Sequence, residues 1–118
     1  MLLSIYMLDK VGMQIERYMT LLSAHQRITA TNIANADTPG YRTRDIDFQS
    51  ELQNSMPARN VTVSEANGLT TKSDGNNVSL DREARLLAEN ALKFNLASNL
   101  MRSQLNSVRA ALREGRNS

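Results

Sequence analysis

Cysteine is absent from this chain of 118 residues, which excludes disulfides, thiolate metal sites and a cysteine nucleophile. Histidine occurs once, at His25, so no multi-histidine metal cage can form and a Ser-His-Asp triad would depend on that one ring. There is no Trp, and three Tyr with two Phe make up only 4% of the chain. A core built on aromatic anchors is therefore not expected, and an elongated helical shape fits better. No run of 18 apolar residues occurs, so no transmembrane segment is expected. The opening stretch, Met1 to Gly12, reaches Asp9 and Lys10 after a few apolar positions and has no small-residue cleavage site, unlike a secretory signal. Met7 and Met13 are alternative starts, so residues 1–12 are set apart as an N-terminal extension. Fourteen Lys and Arg against 12 Asp and Glu leave a formal charge of +2, too small a bias to point to nucleic acid or a membrane surface.

What is present is helical periodicity. Leu8, Val11, Ile15, Tyr18, Met19 and Leu22 recur at three- and four-residue steps, and Ile28 and Ile33 continue on a neighbouring stripe, which predicts a helix from about Leu8 to about Asn35. Its end is written in Asp37, Thr38, Pro39 and Gly40, where Pro removes a donor and Gly supplies turn dihedrals. Between Gln49 and Val78 the composition shifts to Asn, Ser, Thr, Gly and Lys, with Pro57, Gly68 and Asp74-Gly75 as punctuation. Val61 and Val63 could form a short strand, and the rest reads as an interaction loop that orders on a partner.

From Leu80 a seam runs in alternating four- and three-residue steps through Ala84, Leu87, Ala91, Phe94, Ser98, Met101, Leu105, Val108 and Leu112, with Ser98 its sole polar member. Asp81 and Glu83 at its start and Arg109, Arg113 and Arg116 at its end suit the helix dipole, with Asp81 as the expected cap. At about 1.5 Å per residue, about 32 residues would span roughly 48 Å. Leu92, Leu96 and Leu100, with Leu86 nearby, form a second apolar stripe on another side. One partner helix cannot cover both, so the pattern implies association with other chains. The expected fold is mainly α. Residues 13–36 and 80–115 pair as an antiparallel coiled-coil hairpin, joined by a polar irregular segment, 37–79, with possible short β structure.

Chemistry has no visible constellation. Asp45, Asp47 and Glu51 face no second acidic group and read as solvated loop acids. His25 has no nucleophile on its helical face, since Ser23 is too close in sequence to share it. Asp74-Gly75-Asn76-Asn77 lacks the alternating ligands and closing Glu of a calcium loop and reads as a turn. Arg42 and Arg44 flank Tyr41, but Asp45 and Asp47 follow, so a polar packing surface is expected rather than a nucleic-acid footprint. Asn60-Val61-Thr62 and Asn77-Val78-Ser79 match a glycosylation sequon without a secretory signal to support it. Met13, Met19 and Met101 sit on or near helical stripes as adaptable filler. No enzyme activity, cofactor or metal is expected.

Asn32-Ile33-Ala34-Asn35 and Thr38-Pro39-Gly40-Tyr41 are the residues that periodicity does not explain. Small residues and side-chain amides at a helix end allow close backbone approach, with amides free to satisfy carbonyls across the contact. Together they closely resemble the signature of bacterial flagellar rod and hook proteins, and eight positions match in order at the end of a helix. Arg44-Asp45-Ile46-Asp47-Phe48 and Asp74-Gly75-Asn76-Asn77-Val78 leading into Leu80-Asp81-Arg82-Glu83 are similar to the proximal-rod members of that family. The resemblance covers roughly residues 13 to 115.

That resemblance implies an axial structural protein of the basal body, exported through the flagellar type III apparatus and polymerised by its terminal helices across the periplasm. The eight signature residues would then serve subunit packing. The short middle segment agrees with a proximal rod protein rather than a hook or distal-rod one. The implied neighbours are FlgC and further rod subunits, the adaptor FliE, the membrane-anchored MS ring and the export gate. The rival expectation is a helical adaptor, secreted or cytosolic, that binds one partner helix.

Overall fold

The computed structural model describes residues 2–54 and 61–117. Two long helices dominate: α1, Leu2–Ala34, and α3, Leu80–Asn117. Helix α1 thus starts six residues before the periodic pattern suggests, because the apolar residues ahead of Leu8 are good enough helix formers to carry the same ladder outward. It stops where Gly40 takes a φ of 76° just beyond the short turn that ends it. Helix α3 opens one residue before Asp81, and Ser79, not Asp81, caps it. The Ser79 hydroxyl accepts from the Arg82 N–H at 3.3 Å and its carbonyl accepts from the Glu83 N–H.

The pairing of α1 with α3 is antiparallel. Gln104 donates to the Leu8 carbonyl, Asn90 meets His25, Gln26 donates to the Leu87 carbonyl, and Asn32 donates to Glu83. Each step up α1 is matched by an equal step down α3, so the two axes stay in contact along their shared length. The result is a rod-like molecule of 70 × 24 × 18 Å.

The face of α1 turned to α3 follows a heptad through Ile5, Leu8, Gly12, Ile15, Met19, Leu22, Gln26 and Thr29, all buried or half-buried. The facing positions on α3 are Glu83, Leu87, Asn90, Ala97, Met101, Gln104 and Val108. Of the seam expected from the sequence, Leu87, Met101 and Val108 are half-buried and Phe94 lies at the edge. Leu80, Ala84, Ala91, Leu105 and Leu112 are exposed along one flank of α3. In the second stripe Leu86 is half-buried, whereas Leu92, Leu96 and Leu100 are exposed on the opposite flank.

The connection between the helices is more ordered than its composition suggests. Strand β1, Arg44–Ile46, pairs antiparallel with β2, Val63–Glu65, with Arg44 opposite Glu65 and Ile46 opposite Val63. Val61 lies ahead of the strand. Between the two comes a short helix, α2, Phe48–Gln53, which the sequence reading did not anticipate. Its N-cap is Asp47, whose carboxylate accepts from the Ser50 N–H at 3.2 Å. The expected turn at Pro57 lies outside the described residues. Phe48 packs edge-on against Tyr18 at 5.5 Å between centroids, and Arg17 donates to the Glu51 carbonyl at 2.6 Å, so α2 is laid on α1.

The core is thin on the apolar side. Buried apolar residues are Leu21, Leu22, Ala36, Ile46, Ala66, Val78 and Ala97, three of the seven being Ala. Buried polar residues are as prominent: Thr29, Asn32, Thr43, Glu51, Asn76, Asn77, Glu83 and Asn90. A buried polar group costs stability unless it is bonded, so these residues define where the fold is specified by hydrogen bonds.

Candidate functional site

The polar residues gather where α1 ends, α3 begins and the connecting segment crosses both. Asn32 stands at the centre, fully buried, with its amide used to capacity. Its nitrogen donates to the Arg44 carbonyl at 2.8 Å and to Glu83 Oε2 at 3.2 Å. Its oxygen accepts from the Arg44 N–H at 3.1 Å and from the Tyr41 hydroxyl at 2.9 Å. An Asn amide carries two donors and one doubly accepting oxygen, so no lone pair or N–H is left over.

From Glu83 the network runs outward. Glu83 Oε1 accepts from Arg82 at 2.5 Å, and the other nitrogen of the same guanidinium donates to Asp45 Oδ2 at 2.5 Å. Asp45 Oδ1 lies 3.0 Å from His25 Nε2, and His25 Nδ1 lies 3.2 Å from the Asn90 amide nitrogen. With the Asn90 N–H donating to Nδ1, the proton of the ring sits on Nε2 and is given to Asp45. Asp45 and Glu51 are therefore not solvated loop acids. Asp45 bridges a cation and an imidazole, and buried Glu51 accepts the Thr62 N–H at 2.9 Å. Both ring nitrogens of His25 are occupied, so it has no free nitrogen to act as a base.

A second cluster closes the turn. Asn76, fully buried, donates to the Asn35 and Thr38 carbonyls at 2.9 and 2.8 Å, which satisfies acceptors left open at the end of α1. Lys72 places its ammonium on the Ala36 carbonyl at 3.1 Å, a cation at the negative end of the helix. Thr43 and Asn77 bond reciprocally, the Thr43 N–H to Asn77 Oδ1 at 2.6 Å and the Thr43 hydroxyl to the Asn77 carbonyl at 3.2 Å. Gly40 donates to the Asp74 carbonyl at 2.9 Å, and a Cβ on Gly75 would lie 3.3 Å from Gly40 Cα. Gly75 has a φ of 86° and Gly40 one of 76°, so both suit glycine by their dihedrals, and at Gly75 a side chain would also crowd the backbone of Gly40.

The signature residues are thus brought together, but within the chain. Asn32, Asn35, Thr38, Gly40 and Tyr41 bind the connecting segment to α1, while Ile33 is half-buried and Ala34 and Pro39 are exposed. Tyr41 is held above its usual ionisation range by burial, with the Glu83 charge adding to this and Arg44 opposing it. Arg42 completes the outer surface through Glu65 at 2.8 Å and Thr71 at 2.9 Å, the packing role expected of it. The polar partners supplied by Asp45, Asn76, Asn77, Arg82 and Glu83 were missed in the sequence. Their partners lie far away in sequence, so no local pattern marks them.

Along the hairpin, the α1–α3 seam leaves a groove on each side. One, about 530 Å³, is lined by Leu22, Gln26, Ala30, Ala91 and Phe94 among others. The other, about 380 Å³, is lined by Val11, Ile15, Tyr18, Leu52, Ala97 and Leu100. Each groove adjoins one exposed apolar flank of α3, so the hairpin covers neither flank. Among the described residues no His, Asp and Glu cluster could hold a metal ion, and no helix is long and apolar enough to cross a membrane.

Residues 19–42 match the model of the flagella basal body rod protein family. Over nearly its whole length the chain is similar to proteins named flagellar basal body rod protein FlgB. It is 34% identical to that of Salmonella typhimurium, covering 92% of this chain and 99% of the relative. It is 32% identical to that of Escherichia coli with the same coverage, and 27% identical to that of Borrelia hermsii over 82% of this chain and 91% of the relative. The alignment with the Salmonella protein runs over 137 residues, more than the 118 of this chain, so that relative carries residues that this one lacks. A hairpin of two long helices closed by the signature turn, with this similarity from end to end, places the chain in the FlgB family of flagellar basal body rod proteins, structural components of the flagellum and not enzymes.

Proposed function

We propose that this chain is a subunit of the proximal rod, polymerised through the outer faces of its paired helices into the axial drive shaft of the flagellum. The observation that carries this reading is the position of the apolar flanks. Leu105 and Leu112 on one side of α3, and Leu92, Leu96 and Leu100 on the other, stay exposed after the hairpin has formed. A subunit inside a tube has neighbours on two sides, whereas a subunit that binds one helix needs one such flank. The seam residues Leu80, Ala84, Ala91, Leu105 and Leu112 would then pack against neighbouring subunits, with Leu87, Met101 and Val108 holding the hairpin. The signature residues Asn32 to Tyr41 act one step back, by fixing the shape that neighbours meet.

The neighbours in this reading are FlgC and further rod subunits, FliE, the MS ring and the export gate. The subunit travels through the flagellar type III apparatus and comes to rest in the periplasm-spanning part of the basal body. The fold suits that route, since its tertiary structure rests on a narrow seam and a polar turn rather than a large core. The helical-adaptor reading predicts instead a discrete complex of fixed stoichiometry.

The test is peptide mass spectrometry on purified basal bodies, with electron microscopy of a strain lacking the chain. Presence in the particle, and loss of the rod beyond the membrane ring in the deletion, is the expected result. Absence from the particle with an intact rod would overturn the proposal.

A further inference from the structure

The smaller groove holds a cation that no anion among the described residues pairs. Arg17 lines it among Val11, Ile15, Tyr18, Ala97 and Leu100, and its one hydrogen bond among the described residues is to a backbone carbonyl, that of Glu51. Its Nε is buried with no acceptor, and among the described residues no carboxylate lies within ion-pair distance of it. A guanidinium half-buried in an apolar groove is costly until a carboxylate reaches it, so the groove asks for an apolar surface with one acid in its middle.

The chain itself carries such a surface. On the first three turns of α1, Leu2, Tyr6, Asp9 and Met13 fall at steps of four, three and four residues and so share one face. Leu2, Tyr6 and Met13 are 82%, 66% and 62% exposed, and Asp9 is exposed and forms no ion pair among the described residues. That face points away from α3, whose contacts with this stretch run through Ile5, Leu8 and Gly12. It holds three large apolar side chains around a single carboxylate, the counterpart of a groove with apolar walls around a single guanidinium.

We propose that the Leu2–Tyr6–Asp9–Met13 face of one copy seats in the Val11–Tyr18/Ala97–Leu100 groove of the next, with Asp9 paired to Arg17 of that neighbour. This rests on the reading of the chain as a polymerising rod subunit and names the contact it uses. The donor and acceptor surfaces are different parts of the molecule, so the contact is heterologous. Each added copy presents a fresh face and a fresh groove, and the chain of contacts stays open, as a rod requires. The exposed Leu100, and Leu96 one turn before it, extend the apolar wall on which Tyr6 or Met13 would rest. The ion pair chooses the register along that wall, because an apolar stripe alone can slide.

Charge reversal in the full chain, expressed in the flagellated cell, tests this. Asp9→Arg places two cations together, and its expected effect is loss of swimming and at least a tenfold fall in the amount of the chain recovered in basal bodies. Asp9→Arg combined with Arg17→Glu should restore both. Unimpaired assembly of Asp9→Arg would overturn the proposal. Because Arg17 also holds α2, a second measurement uses the absence of native cysteine. Cells expressing Tyr6→Cys and Leu100→Cys copies together are oxidised, and an intermolecular disulfide between the two is expected in the basal body. If the double reversal stays defective and no such disulfide forms, or if the cysteine at position 100 is captured by a different protein, the contact is refuted. Failure of the rod reading looks different, since the chain would then be missing from basal bodies even without substitution.

Discussion

The side-chain amide of Asn32 bonds the backbone of Arg44 as a neighbouring strand would, donating to its carbonyl at 2.8 Å and accepting from its N–H at 3.1 Å. A helix residue thereby takes the place of a third strand at the edge of the small sheet, and the connecting segment is fastened to α1 through a group that Glu83 and Tyr41 also share. Replacing Asn32 by Asp removes both donors and sets a second carboxylate against buried Glu83. The expected loss is about 3 kcal/mol or more, since a buried acceptor and a buried charge are both left unpaired. Urea unfolding followed by circular dichroism would measure it, and a loss below about 1 kcal/mol would show that the network does not hold the segment.

Tyr41 offers a milder probe of the same network. Tyr41→Phe removes one hydrogen bond to Asn32 and is expected to cost about 1 kcal/mol at neutral pH. The phenol's pKa is raised above its ordinary value of 10.0, chiefly by burial, so the folded chain retains the proton after the unfolded chain has released it. Its contribution is therefore fully present below pH 10 and is lost as the pH climbs through the folded value. The gap in stability between the native chain and Tyr41→Phe should be largest at about pH 8 and shrink by about pH 11, a trend that denaturant titrations at the two pH values would reveal.

Gly75 and Gly68 separate two costs that are usually mixed. Both have positive φ, 86° and 77°, but a Cβ at Gly68 would meet nothing whereas one at Gly75 would meet Gly40 Cα at 3.3 Å. Gly68→Ala should therefore lose about 1 kcal/mol for its dihedral alone, and Gly75→Ala more than that as the turn is pushed from the end of α1. Thermal melts of the two variants give the comparison directly. Equal shifts would mean that the turn gives way without strain.

Both helices, their antiparallel pairing, the stop at Pro39-Gly40 and the need for outside partners were legible in the sequence because each is written in spacing. The phase of α3 against α1 was harder. Apolar residues mark the flank through Ala84, Ala91, Leu105 and Leu112, while the side against α1 includes Glu83, Asn90 and Gln104, which hydropathy reads as surface. Such residues are buried because they find partners, and partners distant in sequence leave no trace in a local pattern. The same reason hid the roles of Asp45, Asn76 and Asn77. Helix α2 was missed because six residues are too few for a helical period to emerge, and only its Asp47 cap hints at it.

That difference in phase gives the sharpest experiment on α3, using substitutions about two turns apart. Ala97 is 1% exposed against α1, whereas Leu105 is 50% exposed on the flank. Ala97→Asp forces a bulkier, charged side chain into a seam position closed against α1 and should cost about 3 kcal/mol or more, with most of the helical signal lost. Leu105→Asp places its charge in solvent, so the isolated chain should keep its stability to within about 0.5 kcal/mol. In the cell both variants should fail to swim, the first because the subunit does not fold and the second because a charge meets the apolar surface of a neighbour. Unfolding curves on purified chain, set beside swimming rings in soft agar, separate the two causes. A swimming Leu105→Asp strain would free this flank from any part in assembly, and a destabilised Leu105→Asp chain would place Leu105 inside the hairpin after all.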